Sequence, residues 1–176
     1  MHLHKSKRAS GLLPTNQKVD FLVVSPNNKL IACIELKSQA GSFGNNFNNR
    51  TEEAIGSAVD IWTAYRNGIF AEQVSPWLGY VMLIEKCEKS TSTLSIREPH
   101  FKVMEEFRDT THLDRYTILC RKLMRERLYT HAALIWTEKP GSKLVSYGVT
   151  DNELSFKNFV NRYTAHLAGL QSEFTD

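Results

Sequence analysis

Val19-Asp20-Phe21-Leu22-Val23-Val24-Ser25-Pro26-Asn27-Asn28-Lys29-Leu30-Ile31-Ala32-Cys33-Ile34-Glu35-Leu36-Lys37 reads as two strands and the turn between them. Val19 to Ser25 is rich in Val, Leu and Phe, Lys29 to Lys37 carries a second apolar run, and Pro26-Asn27-Asn28 supplies turn chemistry. On the second strand, period-two alternation sends Leu30, Ala32, Ile34 and Leu36 to one face and Ile31, Cys33, Glu35 and Lys37 to the other. The hairpin brings Asp20 back to the level of Glu35 and Lys37. Two carboxylates and an ammonium then converge on one spot.

Such a set suits phosphodiester hydrolysis. Carboxylate oxygens are hard ligands for Mg²⁺, which keeps several waters for nucleophile and substrate. The ion neutralises charge building on the phosphate, and a lysine beside it positions or helps deprotonate the attacking water. The same residues also fit an Asp and a Glu on strand edges with a lysine as their salt-bridge partner, which is the commoner origin of such a pattern, and spacing alone does not settle it.

Outward from the hairpin, 176 residues with 41% apolar and 23% charged side chains exclude disorder as the main state. The apolar run from Trp77 to Ile84 is far shorter than the ~20 residues of a membrane span, and no apolar leader opens the chain. Cys33, Cys87 and Cys120 are widely spaced, which suggests neither a disulfide framework nor zinc and favours a reducing cytoplasm. Residues 1 to 18 hold Lys5, Lys7, Arg8 and Lys18 without an acid, so the net charge of +3 is concentrated there. Residues 1–11 read as a basic arm and 12–176 as one domain. The basic run of Arg121, Lys122, Arg125 and Arg127 reads as a solvated helix face.

Gly41 to Asn49 reads as a polar loop whose last residue, Asn49, caps a helix with Glu52 three residues on. Ile55, Val59, Trp62 and Arg66 follow helical spacing to a stop at Asn67-Gly68, with Trp62 and Tyr65 in the core. Trp77 to Glu85 predicts a buried strand, Lys86 to Pro99 a loop, and His112 to Tyr129 a helix. Ala132 to Thr137 and Leu144 to Val149 predict strands around Pro140-Gly141, and Phe156 to Leu170 a final helix behind Asp151. The interleaving predicts an α/β fold, a mixed sheet of about five strands flanked by helices.

The string Glu35-Leu36-Lys37-Ser38-Gln39-Ala40-Gly41-Ser42-Phe43-Gly44-Asn45-Asn46-Phe47-Asn48-Asn49-Arg50-Thr51-Glu52-Glu53-Ala54-Ile55-Gly56 resembles the signature of XhoI-type restriction endonucleases, in the PD-(D/E)XK nuclease superfamily. Leu83 to Ser90, Pro99-His100-Phe101 and Arg115 to Leu123 extend the resemblance over about residues 12 to 135. It implies a restriction-endonuclease-like fold, with Asp20 and Glu35 as metal carboxylates, the Leu36 backbone carbonyl completing the ion's shell, and Lys37 as catalytic lysine. It also implies Mg²⁺-dependent cleavage of double-stranded DNA by a homodimer at CTCGAG, after the first C, leaving 5′ overhangs. A companion DNA methyltransferase would protect the host genome.

Asn45, Asn46, Asn48, Asn49 and Arg50 are DNA-facing candidates, because asparagine pairs with adenine and arginine with guanine or phosphate. Asparagines also build loops and caps by bonding their own backbone. Lys18 joins the DNA-facing set, and Gln39 and Glu52 are candidates to support the catalytic residues. Members of the family carry a longer lead into the Asp, where this chain has about eighteen residues. That difference motivates a rival expectation, a shortened, catalytically silent remnant that binds DNA or a partner; a third is a nuclease of the superfamily acting on another substrate, branched or damaged DNA.

Overall fold

The turn at Pro26–Asn28 closes as its residues dictate. Asn28 takes the left-handed φ of 60°, the Ser25 amide donates to the Lys29 carbonyl at 2.9 Å, and the Lys29 amide donates to the Ser25 hydroxyl at 3.0 Å. A computed structural model describes residues 2–9, 17–70, 73–138 and 145–170. Its strands are β1 (His2–Ala9), β2 (Gln17–Val24), β3 (Leu30–Gln39), β4 (Trp77–Glu85), β5 (His131–Glu138) and β6 (Ser146–Val149), in one sheet ordered β1-β2-β3-β4-β5-β6. The β3–β4 and β4–β5 pairs are parallel and the others antiparallel. Helices α1 (Phe43–Arg66) and α3 (His112–Arg125) lie in the two crossovers that parallel strands require, α2 (Glu88–Thr91) is a single turn, and α4 (Phe156–Gly169) closes the chain.

The mixed sheet with flanking helices is the predicted α/β fold. The sixth strand is β1: most of the segment read as a basic arm pairs with β2 from His2↔Val24 to Ala9↔Gln17. Pro140-Gly141 lies outside the described residues, as does Leu144, and the edge strand begins at Ser146.

The parallel strands are buried on both faces and read as apolar runs for that reason. Leu78, Tyr80, Met82 and Ile84 of β4 meet α1 and α3, while Trp77 and Val81 meet the α4 side with Phe159. Gly79 is required there, because a Cβ would run into the rings of Trp77 and Phe159.

Three local expectations change. Along β2 and β3, Val23 faces Ala32 but Val24 faces Leu30, so Ile31 is an extra residue, a β-bulge. Leu30 therefore joins Cys33 in the α1/α3 cluster and Ile31 joins Ala32 on the α4 side, the reverse of strict alternation. The asparagine-rich string is not a loop capped at Asn49; it is the first two turns of α1, starting after Ser42. Phe43 and Phe47, four residues apart, set that helix, stacking near His112 and edge-on to Tyr116. Its buried face is then Ala54, Ala58, Ile61 and Ala64, and Ile55 and Val59 are exposed. Trp62 is partly buried and donates to the Leu128 carbonyl at 2.8 Å. Finally, α4 is capped by Ser155, whose hydroxyl accepts from the Asn158 amide, whereas Asp151 pairs with Arg121.

Candidate active site

Strand β3 carries Glu35 and Lys37 toward α1, and β2 brings Asp20 alongside. Paired residues Phe21↔Ile34 place Asp20 one step beyond the last β2–β3 pair, across from Glu35. There the Asp20 carboxylate replaces a strand partner: its Oδ2 accepts the Leu36 amide at 2.7 Å. Within a strand a residue's N–H and C=O leave on the same edge. The Leu36 carbonyl therefore faces the Asp20 side, and the Asp20 carboxylate, the Leu36 carbonyl and Glu35 occupy one stretch of backbone.

Glu35 is a buried carboxylate, its side chain 8% exposed. Lys37 Nζ sits 2.8 Å from its Oε1, and the Tyr129 hydroxyl donates to its Oε2 at 2.5 Å. Burying a charge without partners is costly; here both oxygens are engaged. Tyr129 also lies 3.1 Å from the Ala54 carbonyl, so its hydroxyl bridges β3 and α1. Burial, then the Glu35 charge, drive the Tyr129 phenol well above its ordinary value, which keeps it a donor. The same two causes push the Cys33 thiol up to about 12, so that cysteine is inert.

From Lys37 the ladder continues outward. Glu53 Oε2 lies 3.5 Å from Lys37 Nζ and 2.7 Å from Arg50 Nη1. Burial by itself would lower Lys37, but the hydrogen bond and charge of Glu35, joined by Glu53, outweigh it and raise the ammonium above the ordinary lysine value. Lys37 thus keeps its proton in this arrangement. Its ammonium donates to Glu35 and lies within ion-pair distance of Glu53.

The predicted residues separate into those the fold gathers and those it does not. Asp20, Glu35, Leu36, Lys37 and Arg50 share this site. Glu53, one residue after the predicted Glu52, makes the contacts; Glu52 is exposed. Gln39 is buried and turns its amide to the Gly41 carbonyl, with Tyr116 donating to its oxygen at 3.4 Å. It shapes the turn into α1. Asn45, Asn48 and Asn49 are exposed on α1, and Asn46 is half-buried. Lys18 pairs with Arg8 across β1 and β2, its side chain outside the described residues. Tyr129 was missed, and Glu52 was put in the place that Glu53 takes. The Phe43/Phe47/Ala54 spacing was the available signal for Glu53, since it sets which flank of α1 faces β3; nothing local marks Tyr129, 94 residues from Glu35 in sequence.

Among the described residues, no three His, Cys, Asp or Glu side chains gather as a metal cluster on their own. A cation here would take two carboxylates and a backbone carbonyl, all hard oxygen donors of the kind Mg²⁺ uses alongside water.

The sequence model of restriction endonuclease XhoI matches residues 1–149, from β1 through β6 and so across the whole sheet. The chain belongs to the XhoI restriction endonuclease family. It is 43% identical over 163 residues to the type II restriction enzyme BstVI of Geobacillus stearothermophilus, covering 90% of this chain and 73% of that one. It is 50% identical over 104 residues to the type II restriction enzyme XhoI of Xanthomonas vasicola (58% of this chain, 42% of that one). With AbrI of Azospirillum brasilense it shares 49% over 100 residues (54% and 45%). No solved structure matches. Helix α4 falls beyond the part matched by the XhoI family model, and no described helix is long and apolar enough to cross a membrane.

Proposed function

We propose that this chain is a type II restriction endonuclease that cleaves double-stranded DNA with Mg²⁺ held by Asp20, Glu35 and the Leu36 carbonyl. The observation that carries the reading is the Asp20 carboxylate bonded to the Leu36 amide, between the two residues of the Glu35–Lys37 ion pair, in a member of the XhoI family.

The oxygen donors fit a hard divalent cation. When bound, that ion supplies Lewis acidity, neutralising charge on the phosphate and acidifying water. The side chains do the rest. Tyr129 holds one oxygen of Glu35 and so fixes the carboxylate's orientation. Lys37, held protonated by Glu35 and Glu53, presents a fixed positive charge where negative charge develops on a scissile phosphate; such preorganised donors stabilise transition states strongly. Arg50 neutralises Glu53, so the outer carboxylate does not repel DNA.

Cleavage at CTCGAG with 5′ overhangs extends the reading from the family to the substrate. A palindrome calls for a homodimer, one catalytic set per strand, working in the cytoplasm beside a methyltransferase that protects the host site. Plasmid carrying one CTCGAG and site-free plasmid, each incubated with Mg²⁺ or with chelator, test it. Linearisation of the first plasmid alone, with Mg²⁺ alone, is the expected result; intact site-bearing plasmid throughout would overturn it.

A further inference from the structure

Outside the carboxyl ends of the parallel strands β3 and β4 lies an open cavity of about 700 Å³. Ser42, Gly44 and Asn45, from the start of α1, form one side of it; Lys89, Ser92 and His112 form the other. Crevices at the carboxyl ends of parallel strands are where open α/β sheets bind ligands.

At the start of α1 and at His112 the protein leaves polar groups unbonded. The first amides of any helix have no intrahelical partner, and α1 adds to this: the Ser42 side chain makes no cap and the first turn holds no acid. By contrast α3 is closed by a Thr111–Asp114 capping box. His112 is 8% exposed, and its Nδ1 is buried with no hydrogen-bond partner. A buried imidazole nitrogen without a partner is costly unless something polar joins it. Lys89 is exposed and adds a positive charge. Glu88 carries the one carboxylate among the lining residues, offset by Lys89 and by the positive end of α1.

We propose that this cavity binds a backbone phosphate of the DNA, held by the α1 N-terminal amides, Lys89 and His112. The proposal rests on the nuclease reading and extends it by locating a stretch of the strand's path. The cavity borders the first turn of α1, and Arg50, which pairs with Glu53 at the catalytic residues, lies further along the same helix, so one helix links the two places. Contacts of this kind position the duplex without reading bases.

Two measurements decide it. Inorganic phosphate titrated into the protein should shift the Gly44 and Asn45 amide resonances and the His112 ring signals, and the amide shifts should need more phosphate in His112→Phe. Affinity for a short CTCGAG duplex and for a scrambled duplex, with Ca²⁺ in place of Mg²⁺ across a salt series, should fall together in Lys89→Ala. Its log K against log salt slope should be shallower by about 0.9, the loss of one phosphate contact. His112→Gln, which keeps a donor, should bind DNA more tightly than His112→Phe, by roughly tenfold.

A Lys89→Ala slope equal to wild type, with phosphate leaving the amides unmoved, would overturn the site even if the enzyme cuts DNA. Phosphate shifts in a protein that binds no duplex would instead mark a pocket for free phosphate, and both the DNA-phosphate assignment and the nuclease reading would fall.

Discussion

On the α4 side of the sheet, Trp77 meets Phe159 edge-on at 4.9 Å and Tyr163 at 5.0 Å, over Ala32, Val81 and Ala133. On the opposite side, the same strands place Glu35 and Lys37 within a shell of Tyr80, Tyr129 and Ala54. Both faces are buried, yet burial does different work on each. Aromatic contact on the α4 face stabilises without constraint on charge. On the α1/α3 face, burial makes the Glu35 charge depend on Tyr129 and Lys37, and the series Tyr129–Glu35–Lys37–Glu53–Arg50 runs from there to the more exposed Glu53 and Arg50. One sheet therefore serves as foundation on one side and as a mount for reactive groups on the other.

The contrast is sharpest if substitutions on the two faces separate stability from chemistry. Trp77→Ala should lower the unfolding free energy by about 3–5 kcal/mol, the usual cost of deleting a buried indole. Urea denaturation measures it, and a loss below 1 kcal/mol would mean that the α4 face is not the foundation described. Lys37→Ala should reduce cleavage by about 10²–10³-fold, as for other fixed transition-state donors, while duplex binding in Ca²⁺ persists. If binding collapsed together with cleavage, Lys37 would be a docking residue instead.

Tyr129→Phe should cost about 1–3 kcal/mol of stability, since it leaves a buried carboxylate oxygen without its donor. It should also raise the Mg²⁺ concentration needed for half-maximal cleavage. An unchanged Mg²⁺ requirement would confine Tyr129 to packing.

The smallest effect belongs to the rim. The Glu153 amide bond and Arg121, against the opposing effect of burial, hold Asp151 below the ordinary aspartate value of 3.8. Asp151 thus contributes stability that is complete above that value and lost as pH falls through the lower folded one. Arg121 is exposed enough for solvent to screen the pair, so the contribution is about 0.5–1 kcal/mol. Asp151→Asn should flatten that part of the acid-stability profile and leave cleavage unaltered near neutral pH.

The hairpin, the apolar run of β4 and the helices at 112 and 156 were legible because their periodicities are local. Residue pattern alone also put Asp20, Glu35 and Lys37 near one another. The start of α1 was not legible in the same way. Its asparagines favour turns, and the signal that overrode them was the Phe43–Phe47 pair, whose value depends on His112 and Tyr116 being in place across the fold. The Ile55/Val59 stripe misled for the complementary reason: the alanines at 54, 58 and 64 leave room for α1 to approach the sheet closely, so the small residues face in.

By itself, the order of residues determined the types of β2 to β6 and of α3 and α4, the turn at Pro26–Asn28 and the family membership, since each depends on neighbours in sequence or on direct likeness. Tertiary structure decided which acid of the Glu52/Glu53 pair meets Lys37, where Ile31 breaks the alternation, and that a tyrosine 94 residues away holds Glu35. Those outcomes depend on how closely helix and sheet pack, and that distance is set by side chains remote in sequence and adjacent only after folding.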